Sequence, residues 1–247
     1  MARYYLLKEQ ISASQALLPP SENHHLQRVL RKKPGDEILA ADGSGSEYRL
    51  KILRFDDAEG CLCEILERRQ PPPDLWKIEL WIPLLKQNRH LWIAEKAAEI
   101  GAATIIPYIS ERVIIRKNFE KHQQKLENAV QAAAKQCGAT VFPHVLPVKP
   151  LGQYLQKSDA ATLKICAWES EESGNLFQFS QLQSQNPLKI ALLTGPEGGF
   201  SASEAENIHQ SGFQLIRLGH RILRAETAAI FLLSAIQTLQ MQAERNL

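Results

Sequence analysis

The chain has 247 residues, of which 44% are hydrophobic and 23% are charged. These values are typical of a globular protein with one or two domains and a substantial core, and they exclude a disordered chain. The net charge is only +2, so any surface that binds nucleic acid must be a local patch rather than a property of the whole chain.

The cysteines and the apolar runs favour a cytoplasmic protein with reduced thiols. The four cysteines are scattered, and Cys61 and Cys63 lack a second pair at zinc-finger spacing. We therefore expect no metal site and no disulfide framework. The longest apolar run, residues 228–236, is too short to span a bilayer. The first residues predict a strand rather than a signal peptide, and we expect no membrane role.

Residues 1–70 predict a small module that resembles a β-barrel. Short strands are predicted at residues 4–7, 37–41, 48–55 and 61–67, with turn-rich segments between them. One short helix is predicted at about residues 22–29. Three consecutive prolines at residues 71–73 can continue neither a strand ladder nor a helix. They mark the linker to a second domain.

Residues 71–247 predict an α/β domain because strand and helix patterns alternate along them. The predicted strands are residues 78–84, 103–107, 141–146, 163–168, 189–193 and 213–218. The predicted helices are residues 90–100, residues 119–137 with Gly138 as the stop signal, and a long apolar helix from Ala225 onward. Such alternation implies a mostly parallel sheet with helices on both faces.

A basic cluster lies within residues 24–36 of the first module. Its members are His25, Arg28, Arg31 and Lys32, and Arg3 lies on a predicted neighbouring strand. These side chains can neutralise phosphates and contact bases. A solvated helix end is the alternative interpretation, because basic side chains in a last turn also suit the helix dipole.

Two glycine-containing loops follow strands near the C-terminus. The first loop, residues 194–200, has three glycines within five residues, and the second loop occupies residues 218–224. Glycine permits a positive φ and close approach of a ligand to the backbone. Two such loops at the carboxyl ends of parallel strands predict one shared pocket, although each alone is equally typical of an ordinary βα turn. The first loop has no Gly-Lys-Ser/Thr sequence, which argues against a P-loop NTPase.

The two loops together closely resemble the cofactor-binding signatures of the SPOUT methyltransferases. Within that class the resemblance is to the RsmE family, which methylates N3 of a uridine in 16S ribosomal RNA. It extends to the pattern His-x-x-x-Val-Leu-Arg-x-x-x-Gly-Asp at residues 25–36, to residues 96–107 and to residues 110–112. The resemblance therefore covers essentially the whole chain.

This resemblance implies a SPOUT-type α/β fold with a parallel sheet, helices on both faces and a deep C-terminal trefoil knot at roughly residues 189–247. A PUA-like β-barrel that grips RNA would precede it. The resemblance also implies a homodimer, S-adenosyl-L-methionine as cofactor, and the 16S rRNA of the 30S subunit as partner. The implied target is the uridine near the decoding centre that is conventionally numbered 1498.

The resemblance also implies roles for residues of the two loops. The expected cofactor-binding residues are Leu193, Thr194, Gly195, Gly199, Leu218, Gly219, Ile222, Leu223 and Ala225. The candidate catalytic residues are Arg224, Glu226, Glu197 and Arg112. A guanidinium at position 224 can bind a phosphate or a uracil oxygen; a surface arginine at a helix entrance is the alternative. Similarly, Glu226 suits the first turn of a helix whether or not it has a catalytic role.

One segment departs from the family pattern. After the helix at residues 119–137, similar proteins commonly have Glu-Gln followed by an arginine, whereas this chain has Lys135 and Gln136 with no arginine in the next few residues. An electrostatic contact inherited at this segment is therefore in doubt.

Three alternative functions stay open at this stage. They are an RNA-binding protein of SPOUT shape without catalysis, a methyltransferase that acts on a different RNA, and a small-molecule methyltransferase. The intact glycine loops argue against the first, and the basic cluster argues against the last.

Overall fold

The computed structural model describes residues 3–115, 117–156, 159, 162–171, 174–183 and 186–245. The chain forms two compact units. The first unit comprises the chain up to Pro73 together with Ala134–Phe142, and the second comprises Asp74–Ala133 and Pro143–Leu247. Each unit has its own hydrophobic core.

The first unit is built on a five-stranded sheet with the order β1-β3-β4-β5-β2. Its elements are β1 (Arg3–Tyr5), β2 (Gln15–Leu18), α1 (Pro20–His24), β3 (Glu37–Ala41), β4 (Glu47–Asp56) and β5 (Gly60–Arg69). β1 pairs with β3 in parallel, and the other neighbours are antiparallel. A single π-helical turn, His25–Val29, continues α1. The predicted strands and helix are present, but β2 was not predicted because its pairing with β5 is not local.

Side-chain alternation along β4 places one face of this sheet in the core. Tyr48, Leu50 and Ile52 are buried, while Arg49 and Lys51 between them are exposed. The period of two is the signature of a strand with one buried face. Cys61 and Cys63 of β5 complete the same core as free thiols.

The segment Ala134–Phe142 joins the first unit through backbone hydrogen bonds. Gly45 N–H donates to Thr140 O at 2.9 Å, and Phe142 N–H donates to Gly43 O at 2.9 Å. The Tyr5 hydroxyl lies 2.8 Å from Ala139 O. Lys135, at the departure from the family pattern, has its Nζ 5.9 Å from the centre of the Tyr5 ring. At this position an aromatic ring therefore faces the cation.

The second unit is built on a seven-stranded sheet. Its elements are β6 (Trp76–Pro83), α2 (Arg89–Ile100), β7 (Thr104–Ile109), α3 (Phe119–Cys137, whose last residues belong to the first unit), β8 (His144–Val145), β9 (Lys149–Pro150), α4 (Leu151–Leu155), β10 (Leu163–Ala167), β11 (Leu188–Thr194), α5 (Ala202–Gln210), β12 (Gln214–Ile216) and α6 (Ala225–Arg245). The order is β12-β10-β11-β6-β7-β8, with β9 also paired to β7. All of these pairs are parallel.

Both faces of this sheet are covered, as the alternation of strands and helices predicts. On one face Ile78, Leu80 and Ile82 share a core with α2, α3 and α6. On the other face Trp81 shares a core with α4 and α5. The predicted α/β class with helices on both faces is confirmed.

Two predicted strands are shorter than expected. The segment 141–146 contributes only β8, because its first residues pair with the Gly43–Gly45 turn of the first unit instead. The segment 213–218 contributes only β12, after which the chain turns into the second glycine loop. Within the described ranges, no helix is both long and apolar enough to cross a membrane.

Candidate active site

A cleft of about 460 Å³ opens at the carboxyl ends of three adjacent strands, β10, β11 and β12, and at the start of α6. It is lined by Arg89, Ala167, Trp168, Glu169, Gly195, Pro196, Glu197, Gly199, Leu218, Arg221, Ile222, Leu223, Arg224, Ala225 and Ala228. The two glycine loops therefore meet at one pocket, in the position where parallel α/β sheets bind ligands.

Six of the nine expected cofactor-binding residues line this cleft, namely Gly195, Gly199, Leu218, Ile222, Leu223 and Ala225. Leu193, Thr194 and Gly219 do not line it. Leu193 and Thr194 are fully buried in β11, and Thr194 O accepts a hydrogen bond from the Tyr108 hydroxyl at 2.5 Å. These two residues support the first loop from within the sheet. Gly219 is exposed and has a φ of 78°.

The first glycine loop packs closely against its neighbours at two positions. A Cβ at Gly195 would lie 3.2 Å from the Phe200 ring. Gly199 has a φ of 64°, and a Cβ there would collide with the Glu169 carboxylate. Glycine is therefore favoured at 199 by backbone conformation, while a side chain at either position would displace a neighbouring group. Glu169 was missed by sequence reasoning, because only the sheet order shows that the end of β10 lies beside the end of β11.

Two arginines of the second loop lie at the cleft with free guanidinium groups. Arg221 and Arg224 are exposed, and within the described residues neither has an ion pair or hydrogen-bond partner for its side chain. The candidate Glu197 also lines the cleft and is exposed. Unpaired cations at the mouth of a cleft attract an anionic ligand such as RNA.

The candidate Glu226 lies in the first turn of α6, outside the cleft lining. Its Oε1 lies 3.4 Å from Nη1 of Arg89, which does line the cleft. Its Oε2 is buried and has no hydrogen-bond partner in the part of the chain that the structure describes. Arg89 was also missed by sequence reasoning. No local sequence pattern pointed to it, because the positive φ values of Gln87 and Asn88 at the entrance of α2, 54° and 57°, are visible only in the structure.

The candidate Arg112 does not line the cleft. Its Nη1 donates a hydrogen bond to Gly198 O at 2.6 Å, and its Cβ lies against Gly198. The structure therefore places Arg112 behind the glycine loop, where it holds the loop backbone.

The basic cluster of the first unit is exposed around the π-helical turn. His25, Arg28 and Arg31 are exposed, and Arg31 has a φ of 53°. Lys32 is half-buried, and its Nζ donates to Glu37 O at 3.1 Å. The side chain of Arg3, also expected here, lies outside the described residues. Tyr4 packs edge-on against His25 with ring centres 6.2 Å apart, and burial raises the pKa of its hydroxyl to about 12. Tyr4 therefore stays neutral.

Comparison with known proteins agrees with this architecture. The family model described as an RNA methyltransferase domain matches residues 71–237, and the RNA methyltransferase PUA domain matches residues 18–66. The ribosomal RNA small subunit methyltransferase E of Bacillus subtilis is 31% identical over 247 residues, which cover 96% of each chain. The chain belongs to the ribosomal RNA small subunit methyltransferase E family.

Other members of the methyltransferase E family resemble the chain over most of its length. The protein of Synechocystis is 31% identical over 96% of this chain and 77% of its own. The crystal structure of the Neisseria gonorrhoeae protein, which is bound to S-adenosyl methionine, superposes with a TM-score of 0.81 at 28% identity. That comparison covers 97% of this chain and 98% of the other. The fold is therefore that of the SPOUT methyltransferases with a PUA-like domain before it.

Proposed function

We propose that the protein transfers a methyl group from S-adenosyl-L-methionine to N3 of a uridine in 16S rRNA, the uridine conventionally numbered 1498. The coarser activity, cofactor-dependent methylation of ribosomal RNA, is that of the family to which the chain belongs. The observation that carries the proposal is the single cleft formed by both glycine loops at the carboxyl ends of three adjacent parallel strands.

The cleft suits the cofactor in shape and chemistry. Leu218, Ile222 and Leu223 supply apolar surface for an adenine ring. The indole Nε1 of Trp168 is buried without a hydrogen-bond partner among the described residues, although Trp168 lines the cleft. A buried donor of this kind is satisfied when a ligand supplies an acceptor. When bound, the cofactor supplies an activated methyl group to a nucleophile.

Side chains of the protein then stabilise the charge that develops on the uracil and accept the proton from N3. That nitrogen carries a proton, which must leave before or during the attack. The guanidinium of Arg224 can stabilise the negative charge that develops on O2 and O4 of the uracil. Two carboxylates that line the cleft, Glu169 and Glu197, can take the proton directly or through water. Arg89 and Glu226 form an ion pair. Arg112 stabilises the first glycine loop through its hydrogen bond to Gly198 O.

In this proposal the first unit binds the RNA substrate. The exposed cations of the basic cluster neutralise phosphates of the RNA, as is typical of a PUA-type domain. The substrate is ribosomal RNA, so we infer that the protein acts in the cytoplasm.

We further infer a homodimer whose C-terminal segment, residues 189–247, is threaded as a trefoil knot. Support for the dimer comes from apolar side chains exposed on the packed helices α2 and α6. Trp92 is 46% exposed, and Phe231 and Met241 are each 52% exposed. Large apolar side chains exposed on packed helices favour an interface between subunits.

The proposal is tested with labelled cofactor and 30S subunits that lack the modification. The methylated nucleotide is then mapped by mass spectrometry, with naked 16S rRNA and 50S subunits in parallel. We expect one labelled uridine, methylated at N3, in the 30S sample. Label at another nucleotide or at another ring atom would refute the assigned target. No label in any RNA, although calorimetry shows cofactor binding, would refute the activity itself.

A further inference from the structure

A second cavity, of about 630 Å³, lies in the second unit and shares no residue with the cofactor cleft. It opens at the carboxyl ends of β7 and β9, where Ile109 and Pro150 are the last strand residues. The helix α5 forms its other side through Glu204 and Asn207. None of the residues expected from sequence to bind cofactor or RNA lines it.

The cavity contains a polar group that the fold leaves unsatisfied. Ser110 is 5% exposed and lines the cavity, and its Oγ has no hydrogen-bond partner among the residues that the structure describes. A buried hydroxyl is normally paired, so an unpaired one in a residue of the cavity wall indicates a ligand or an ordered water. The amide of Asn207, exposed on α5, adds a donor and an acceptor to the same cavity.

The described part of the lining is acidic and favours a neutral ligand over a phosphate. Among the described residues no lysine or arginine lines the cavity, whereas the carboxylates of Glu111 and Glu204 do. Glu204 is buried, and its two oxygens accept hydrogen bonds from the backbone N–H groups of Glu111 at 2.8 Å and Ser201 at 3.1 Å. It is therefore part of the wall. Leu151 and Leu155 add apolar surface that suits the face of a flat ring, and Gln156, Gln210 and Ser211 add neutral polar groups.

The cavity and the cofactor cleft lie on two sides of the same glycine loop. Arg112, two residues after Ser110, donates to Gly198 O at 2.6 Å. Helix α5 has its N-cap at Ser201, directly after Phe200 of that loop. The first glycine loop therefore connects the wall of the cavity to the wall of the cleft.

We infer that this cavity receives an unpaired nucleobase of the RNA substrate, near the methylated nucleotide in the strand. A base has apolar faces and an edge of neutral donors and acceptors, and unpaired bases are the usual target of sequence-specific RNA recognition. The cavity thereby contributes to the choice of nucleotide, which the cofactor cleft alone does not determine. This inference rests on the proposed function, in that the substrate is ribosomal RNA.

Gly152 allows a direct test, because it lines the cavity and a Cβ built there meets nothing within 4 Å. Its φ lies outside the left-handed region, so Gly152→Leu adds bulk at the cavity wall without backbone strain. The matched control is Gln153→Leu, which places the same side chain on the next, exposed residue of α4 outside the lining. Thermal melting of both variants establishes that they are folded.

We expect Gly152→Leu to raise the KM for 30S subunits by about tenfold or more, with cofactor affinity and kcat unchanged. Gln153→Leu should behave as wild type. An unchanged KM in folded Gly152→Leu would overturn the inference while wild-type methylation still supports the proposed function. If the wild-type protein methylates no ribosomal RNA, the proposed function fails, and this inference fails with it.

A second experiment asks whether the cavity reads a base. Ribosomal RNA fragments with single base changes around the target are compared as substrates of the wild-type protein and Asn207→Leu, which keeps the bulk and removes the amide. We expect the wild type to discriminate at one flanking position and Asn207→Leu to lose discrimination at that position alone. Equal discrimination by both proteins at all positions would show that no base is read by this amide.

Discussion

Arg224 is the residue on which the proposed chemistry depends most. It directly follows Leu223 of the cleft lining, and its side chain is exposed with no ion pair among the described residues. Arg89 at the same cleft differs, because it is engaged with Glu226 and Gln87. A free planar cation can contact substrate, whereas an engaged one mainly positions its partner.

Replacement of Arg224 by alanine should reduce turnover on 30S subunits on the order of 10²-fold or more, because a charge-stabilising donor is lost at the reaction centre. Cofactor affinity should stay near wild type. Arg224→Lys should restore only part of the rate, since a point charge does not reproduce the fork of a guanidinium. Single-turnover methylation assays measure the rates of both variants. Arg54→Ala, at an exposed arginine of the first unit, is the control. Near-normal turnover in Arg224→Ala would make it a surface arginine.

Gly199→Ala should abolish or strongly weaken cofactor binding while the protein stays folded. The new Cβ is strained at a φ of 64° and collides with the Glu169 carboxylate beside the cleft. The matched control is Gly35→Ala, which has a φ of 96° with nothing within 4 Å and so imposes backbone strain away from the site. Calorimetric titration with S-adenosylmethionine compares the cofactor affinity of the two variants, and Gly35→Ala should bind like the wild type. Wild-type affinity in folded Gly199→Ala would contradict the role of this loop.

At the scale of elements, α2 and α3 are joined by a hydrogen-bonded pair of histidines, one of them buried. His90 of α2 is fully buried, with Nδ1 2.9 Å from Leu85 O and Nε2 3.1 Å from Nδ1 of His122 on α3. Burial lowers the pKa of His90 to about 4, and burial also lowers the pKa of His122, with help from Lys125 and Lys121. Both rings are therefore neutral in the folded protein near neutral pH.

This pair predicts a loss of stability on acidification. Below pH 6.5 the unfolded chain protonates His90, while the folded protein keeps it neutral until about pH 4. The unfolded state then binds more protons, so the free energy of unfolding falls by up to roughly 3 kcal/mol over that interval. Urea unfolding between pH 4 and pH 7 measures it. His90→Gln should show a shallower fall, and His209→Gln, at an exposed histidine of α5, should match wild type. Equal slopes in all three would refute this origin.

The basic cluster in and just after the π-helical turn of the first unit carries the proposed phosphate contacts. Replacement of Arg28, Arg31 and Lys32 together by alanine should weaken RNA binding and flatten its salt dependence by roughly one unit of slope per lost contact. Cofactor binding should not change. Filter-binding titrations over a range of salt concentrations measure the slope, with Lys51→Ala and Arg54→Ala on β4 as the basic control pair. An unaltered salt dependence of RNA binding would show that the cluster is only a solvated helix end.

At the scale of the whole molecule, the proposed dimer accounts for the apolar face of α6. Phe231→Glu should place a charge in that interface and convert dimers to monomers in sedimentation experiments. Leu53→Glu, at a 39% exposed position of β4, is the control and should not change the oligomeric state. A monomeric wild-type protein, or a dimeric Phe231→Glu variant, would contradict the assignment of this face.

Local sequence patterns determined the class of the fold and the position of the cleft. Apolar residues recur at the helical period in residues 119–137, and glycine-rich loops follow apolar strands at Thr194 and Ile216. Such patterns indicate which side of a helix or strand is buried, and they can be read from one short stretch of sequence. The family resemblance in the same loops then implied the cofactor and the reaction.

The tertiary structure alone decided which side chains meet. Arg89 reaches Glu226, 137 positions away in the chain. Glu169 lies beside Gly199 because β10 is inserted between β11 and β12. Likewise Ala134–Phe142 completes the first unit, and Ser110 meets α5 across the second cavity. Strand order and long-range pairing depend on how the whole chain packs, and no local period encodes them.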